Sequence, residues 1–510
     1  MGRPTSHTDP LGRTWSYAYD DRGRLSQITY SDGTTTTYTY DDASRVTQIA
    51  YPGGPTLDYT YDAAGRLLTA NDIALTYDAR GDITESQDGD ASFGATYDNG
   101  RRLKTVTYDG QATVTYTYDA RNLLIRVEDD LTGAWMTFAY DDDGRLTQIG
   151  RSSGVTTTYT YDAAGSVTRI QDGTVADQQY TLNAEGEPTE AIMNVPLGAG
   201  MIKYNYDMAG RLTDANYGGE NHLTYNYDVT NNLLSRSGST PLAPAQIEDS
   251  YTYDAACQIS SAGYEYDARS RQTAAPGKTF AYDGASRLTS VTADGSTATL
   301  TYNGLGDLRT RTVGGTTTHY YHNYALGLDP IVAEKAGTAY KRFYVYTPGG
   351  SLLYSIDPAT GQVCFYHFDR VGSTLFLTDG AGAVSDAYAY GPYGELLGHT
   401  GTSDQPFTYV GRYGVRFEPV GALYDMRARV YDPATARFLT RDPVWPVLRD
   451  PQSLNPYQYA AQSPLRFIDP HGLNAGRGSR DKDIEEHTGS AIDPRQFTAC
   501  LLYTSPSPRD

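Results

Sequence analysis

The chain of 510 residues reads as an all-β protein, a winding antiparallel sheet built from short repeats, and three observations carry that reading. Tyrosine occurs 46 times against 12 Phe, an excess that suits strands with one apolar and one wet face better than an ordinary core. Threonine and glycine are abundant, and Tyr and Thr both favour strands. A unit of the form Thr-Tyr-Thr-Tyr-Asp-x-x-Gly-Arg-Leu-x-x-Ile recurs along most of the chain, with Tyr19, Tyr40 and Tyr61 spaced twenty-one residues apart. Fixed spacing of this kind marks stacked repeats.

Each element of the unit has a physical reason. In Tyr38-Thr39-Tyr40 the two rings lie two positions apart, so they share one face of a strand and Thr takes the other. The Asp that follows ends the strand, its carboxylate accepting from backbone N–H groups two or three residues on. Glycine supplies the positive φ of a tight reversal. Arg-Leu-x-x-Ile then restarts an alternating strand. A lone hairpin is marginal in water, so each unit must pair with the next. Such a sheet either closes around a space or forms a solenoid with Tyr in an interior ladder; the residues by themselves leave both open.

Bulk properties narrow the function. A net charge of −20 argues against binding nucleic acid or an anionic membrane through bulk charge. Cys257, Cys364 and Cys500 make neither a disulfide framework nor a metal-ligand spacing. The opening MGRPTSHTDP has no apolar core of a secretory leader, and no run approaches the length of a membrane helix. Phosphate loops, HExxH, CxxC and nucleophile elbows are missing from the sequence, so no cofactor and no metal are expected. Acidic clusters such as Asp141-Asp142-Asp143-Gly144 read as solvated turns, and His319, His322 and His367 as structural side chains.

The units YAYDDRGRLSQI, YTYDDASRVTQI, YTYDAAGRLLTA, FAYDDDGRLTQI and YNYDMAGRLTDA resemble the YD repeat of the RHS and teneurin families. The segments YVYTPGGSLLYSIDPATGQVCFYHFDRVGSTLFLTDGAGAVSDAYAYGPYGELLG (344–398), FTYVGRYG, LYDMRARVYDPATARFLTRDP (423–443) and NPYQYAAQSPLRFIDPHGL (455–473) resemble, in that order, the RHS repeat-associated core. The resemblance spans residues 9–473. It implies a hollow β-shell or cocoon of the teneurin-like YD-shell kind, incomplete in this chain, with a YD-repeat part at 9–310 and a core closing the shell at 311–473. In bacterial members the shell packages a C-terminal toxin. The resemblance therefore implies a secreted or cell-surface bacterial protein that houses and releases its own C-terminal effector. A further partner for secretion or for plugging the shell is also implied. A second reading is a cell-surface or wall-associated module that binds carbohydrate or a partner protein, since Tyr-rich surfaces suit sugar stacking.

The resemblance also implies self-cleavage after the final Asp-Pro-x-Gly-Leu. It carries the catalytic role to Asp442, with Arg441 as its partner, and the cut to the stretch Asp469, Pro470, Gly472, Leu473 and Asn474, between Leu473 and Asn474. Two neighbouring carboxylates can share a proton, one acting as base toward water while the other donates. At most this is a single-turnover aspartyl autoprotease. Asp442-Pro443-Val444-Trp445 lacks the glycine of the family's first motif, and Asp450 is the only acidic residue between Asp442 and Asp469. Asp469-Pro470-His471-Gly472 is equally a good turn in its own right, and cleavage site and plug both stay open.

Residues 474–499 read as the start of a variable tail, too short for a toxin domain. Cys500–Asp510, CLLYTSPSPRD, matches the translation of a transposon-end sequencing adapter and reads as library read-through.

Overall fold

A computed structural model describes residues 3–443 and 454–473. Among these, strands form a 24-stranded sheet from Ser6–Thr8 to Ile247–Ser250, a 14-stranded sheet from Glu265–Tyr266 to Leu396–Thr400, and a 4-stranded sheet from Arg416–Glu418 to Arg437–Phe438. Within each sheet, every strand pairs antiparallel with the next along the chain. The described residues contain no α-helix. The second sheet runs unbroken across residues 310 and 311, and residues 251–264 and 401–415 lie between the sheets.

The repeat unit is locked locally. In strand Thr35–Tyr40, Tyr38 is buried opposite Ile49, Tyr40 is half-buried, and Thr37 and Thr39 are exposed. The register slips by one residue between Thr39 and Tyr40, and the same bulge recurs at Ala18/Tyr19, Thr117/Tyr118 and Thr160/Tyr161. Bulges at a fixed place increase twist and curl a sheet in one sense. In the regular units the second tyrosine donates its hydroxyl to a backbone carbonyl fifteen residues earlier: Tyr40 to Leu25 at 2.6 Å, Tyr61 to Val46 at 2.7 Å and Tyr161 to Leu146 at 2.6 Å. Phenylalanine would leave that carbonyl without this donor, which explains why the chain uses Tyr where a core would use Phe.

The Asp turns are closed by backbone donors two and four residues on. Asp162 Oδ1 accepts from Ala164 N and Ser166 N, both at 2.9 Å. Where Arg follows, it joins one turn to the next. Arg45 Nε meets Asp41 Oδ2 at 2.6 Å, its Nη1 donates to Asp62 O at 3.0 Å, and its guanidinium lies 4.8 Å from the Tyr61 ring. The reversal residue has positive φ: +73° at Gly23, +87° at Gly65, and +65° at Ser44, which holds the same place one unit along. A side chain in that region costs about 1–2 kcal/mol, against about 0.5–1 kcal/mol of extra unfolded-state entropy for glycine. Ser44→Gly is therefore expected to stabilise the protein by roughly 0.5–1 kcal/mol. Chemical denaturation checks it, and an unchanged or lowered midpoint would contradict this account of the turn.

At long range the chain winds in two courses. The hairpin tips of the first course meet the second at a separation of 231 residues for Asp90 and Tyr321, 225 for Asp129 and Tyr354, and 195 for Asp172 and His367. Tyrosine hydroxyls again make the joint: Tyr108 donates to Tyr344 O at 2.9 Å and Tyr116 to Tyr346 O at 3.0 Å. The result is an open shell of coiled sheet. Residues 401–443 and 454–473 form a cap held by both courses. Arg437 Nη1 donates to Asn232 Oδ1 at 2.8 Å, Tyr457 donates to Ser270 O at 2.8 Å, and Arg311 grips Glu418 with two bonds of 2.7 Å. The cap's own core is aromatic: Tyr409, Tyr424, Tyr431, Phe438 and Tyr459 pack together, Tyr431 and Tyr459 with ring centroids 4.3 Å apart.

Candidate functional site

The residues expected to do chemistry lie in the cap, and an arginine that the sequence reading did not single out brings them together. Arg429 opens the strand Arg429–Asp432, whose short hairpin to Leu423–Met426 points its side chain inward. The Arg429 side chain is 1% exposed and its Nη2 lies 2.9 Å from Asp442 Oδ2 and 3.1 Å from Asp469 Oδ2. The two carboxylates, twenty-seven residues apart in sequence, thus share one donor, Asp469 being 2% and Asp442 19% exposed. Nη1 donates to Pro456 O at 3.2 Å, Nε donates to Gly472 O, and the Phe438 ring lies 3.6 Å from the guanidinium carbon. Such a fork matches paired acceptors better than lysine would.

The Asp469–Gly472 segment is a hydrogen-bonded turn, Gly472 N donating to Asp469 O at 3.2 Å. Gly472 has φ +64°, and a Cβ there would stand 2.6 Å from Met426 O and 2.9 Å from Arg429 N. Glycine is required on both counts. Asp469 Oδ1 accepts from Leu473 N at 3.1 Å. The Gly472–Leu473 peptide is therefore gripped from both sides, its carbonyl by Arg429 and its N–H by Asp469. This is the bond before the one expected to be cut. A second arginine secures the turn from behind: Arg427 donates to Pro470 O at 2.7 Å, Leu328 O at 3.0 Å and Tyr413 O at 2.9 Å. Burial lowers its pKa from the usual arginine value.

Arg441 lies elsewhere. Its guanidinium is 5.1 Å from the Trp15 ring, with Nη1 3.9 Å from Asp9 Oδ2 and Nη2 3.5 Å from His7 Nε2. It ties the end of the cap to the first strands, while Arg429 takes the place beside Asp442 that the family resemblance gave to Arg441. Asp450 and Asn474 lie outside the described residues. Arg427 and Arg429 carry a signal that was available in the sequence: two arginines in an aromatic stretch, DMRARVYDP, must find acceptors if buried.

One other arrangement has the order of a nucleophile, base and orienting acid. His367 Nε2 is 2.9 Å from Thr378 Oγ1 and its Nδ1 is 2.8 Å from Asp172 Oδ1. All three side chains are sealed at the joint between courses, so no substrate reaches Thr378 and the network is structural. Among the described residues no cluster of His, Cys, Asp and Glu has the makings of a metal site, and none of their helices is long and apolar enough to cross a membrane.

The family model described as Teneurin YD-shell matches residues 169–465, and the RHS Repeat model matches 2–35, 19–56, 40–74 and 140–175. The chain belongs to the Teneurin YD-shell family. Several relatives share parts of this YD-shell chain. The tRNA3(Ser)-specific nuclease WapA of Bacillus spizizenii is 27% identical over 234 residues, which is 44% of this chain and 10% of that protein. Double-stranded DNA deaminase toxin A of Burkholderia cenocepacia is 29% identical over 341 residues, 54% of this chain and 23% of that protein. Teneurin-4 of Mus musculus is 24% identical over 248 residues, 47% of this chain and 9% of that protein. Among solved structures, TcdB2-TccC3-Cdc42 superposes with a TM-score of 0.77 at 17% identity, covering 95% of this chain and 28% of that one, so the likeness is one of fold. The chain thus spans about a tenth to a quarter of the length of these curated relatives.

Proposed function

We infer that this YD-shell is the encapsulating segment of a bacterial toxin of the RHS kind, and that its cap clamps the chain where it leaves the shell for the effector. The observation that carries this reading is the double grip on the exit turn, Arg427 on Pro470 and Arg429 on Gly472, inside a cap that both courses embrace. The relatives support it. One is named as a tRNA nuclease and another as a DNA deaminase toxin, yet each is similar to a part of this chain, which fits a common scaffold better than a common activity. A protein carried by such a scaffold is secreted or displayed at the bacterial surface, and its chief partner is its own C-terminal domain.

The Asp442–Arg429–Asp469 group serves first as the clamp. In that role a purified chain, denatured and run on a gel, stays intact and matches Asp442→Ala. A cut after Leu473 that the variant lacks would replace the clamp with single-turnover autoproteolysis by the carboxylate pair. Reading the coding sequence beyond residue 473 tests the shell itself. An effector domain downstream is the expected result, and a wall anchor or glycan-binding domain there would overturn it in favour of a surface module.

A further inference from the structure

His322 ends the strand Thr316–His322 and sits where the two courses and the cap meet. Its Nδ1 is 2.9 Å from Asp329 O and its Nε2 is 3.0 Å from Leu308 O. Carbonyl oxygens only accept, and a neutral imidazole has one N–H. With a single proton, one of these contacts would set lone pair against lone pair. Both are hydrogen bonds only when the ring carries two protons.

The surroundings provide the counter-charge. Asp88, from the first course, accepts the His322 backbone N–H at 3.3 Å. Asp307, from the preceding turn, accepts the Tyr324 hydroxyl at 3.0 Å, and the Tyr324 ring stacks on the imidazole with centroids 6.3 Å apart. Asp329 lies in the following loop. Asp90, paired with Lys335, and Arg309, paired with Asp72, flank the group on the course side. Arg427 and Asp425 face it from the cap. Burial works against a charged His322, but Asp307, Asp88 and the two carbonyls outweigh it and raise its pKa. Burial raises Asp88 to about 6 and Asp329 to about 7.

The loop that His322 holds leads to the exit turn. Leu328 and Asp329 have φ of +67° and +43°, a region side chains avoid, so outside contacts must keep them there. Asp329 O is held by His322. Leu328 O is held by Arg427, which also holds Pro470 O.

We propose that His322 is a pH-sensitive latch on the cap: doubly protonated, it pins the Leu328–Asp329 turn, and losing a proton as pH rises frees that turn and with it Arg427's grip on Pro470. The sign is the same for His322, Asp88 and Asp329, all of which are raised. A raised folded-state pKa gives stability that is full below the unfolded value and is lost as pH rises through the folded one. For His322 the loss begins above 6.5, and for Asp88 and Asp329 it runs upward from 3.8 through about 6 and about 7. The latch stands whether or not the chain is cut.

The test uses the full chain with isotope-labelled histidine, His322→Gln assigning its resonance among the 8 His. The expected result is a His322 ring doubly protonated at pH 6 that loses its proton only above the ordinary 6.5. Exchange of the Gly472 amide and of the Gly327 amide, which donates to Pro348 O at 2.8 Å next to the turn, should rise at least tenfold through the same midpoint once corrected for intrinsic rates. His322→Gln, whose amide donates but does not titrate, should flatten that rise. A His322 ring that is singly protonated at pH 6 in the wild type would overturn the proposal. So would Gly327 and Gly472 exchange that ignores the titration, or a variant that keeps the wild-type profile.

Discussion

Replacing Arg429 with Met is expected to lower the stability of the cap by about 3–5 kcal/mol, the cost of removing one partner from a buried charge group. The side chain is 1% exposed and serves Asp442, Asp469, Gly472 O and Pro456 O at once. Methionine keeps much of the volume over Phe438 but leaves Asp469, itself 2% exposed, without its buried cation. Chemical denaturation of the purified chain measures the loss. Adding Asp469→Asn to Arg429→Met should restore a part of it, because the buried carboxylate charge then disappears. The two changes should couple by about 0.5–3 kcal/mol in a double-mutant cycle, as residues in direct contact do. An Arg429→Met chain within about 1 kcal/mol of wild type, or two changes that simply add, would show that the guanidinium does not organise this site.

Acidification should act through a different histidine and in the opposite direction to the His322 latch. Burial lowers His367 from 6.5 to about 4, with Arg151 adding to the effect. Its ring is stacked on Phe376 at 4.3 Å and sealed between Asp172 and Thr378. A depressed pKa gives stability that is full above the unfolded value and is lost as pH falls toward the folded one. The window is pH 6.5 down to about 4. At about 1.4 kcal/mol per unit the loss amounts to roughly 3 kcal/mol. The general acid response of a chain with charge −20 overlaps this, so the readout is a difference. The stability advantage of wild type over His367→Gln should shrink by about 3 kcal/mol between pH 7 and pH 4. An advantage that stays constant would show that His367 does not titrate across that window. Because His367 joins Asp172 of the first course to the second, the loss should appear as separation of the courses. The individual hairpins, held by their own turns, should persist.

Much of the architecture is legible in the amino-acid order, and the reason is locality. The Asp turn closes within four residues, and the Tyr hydroxyl reaches a carbonyl fifteen residues back, both inside one repeat. Strand, bulge, turn and pairing partner are therefore set by short-range spacing, and repeating the unit repeats the geometry. The turn at Asp469–Gly472 is legible on the same grounds. Glycine is the residue that fits φ +64° with backbone 2.6 Å away, and Asp469 caps the next N–H. Even the preference for Tyr over Phe has a local cause in the carbonyls that the hydroxyls satisfy.

The candidate site is a different matter. Asp442 and Asp469 stand out by motif, but the family resemblance pairs Asp442 with Arg441, its neighbour in sequence. In the folded cap Arg441 turns toward Trp15 and Asp9, and Arg429, thirteen residues upstream of Asp442, takes the place between the carboxylates. That choice depends on how the last short sheet closes against two courses already wound, at separations of hundreds of residues, where sequence spacing carries no distance information. The same holds for His322 and His367, which look alike as isolated histidines among tyrosines. One faces two carbonyls and three carboxylates, the other a carboxylate, a threonine and an arginine, and these surroundings drive them to opposite charge states. The chain by itself determined the repeat, its turns and its all-β character, because these rest on hydrogen bonds made within a unit. The tertiary structure alone decided which buried charges meet, because those meetings occur only once the spiral has brought distant courses into contact.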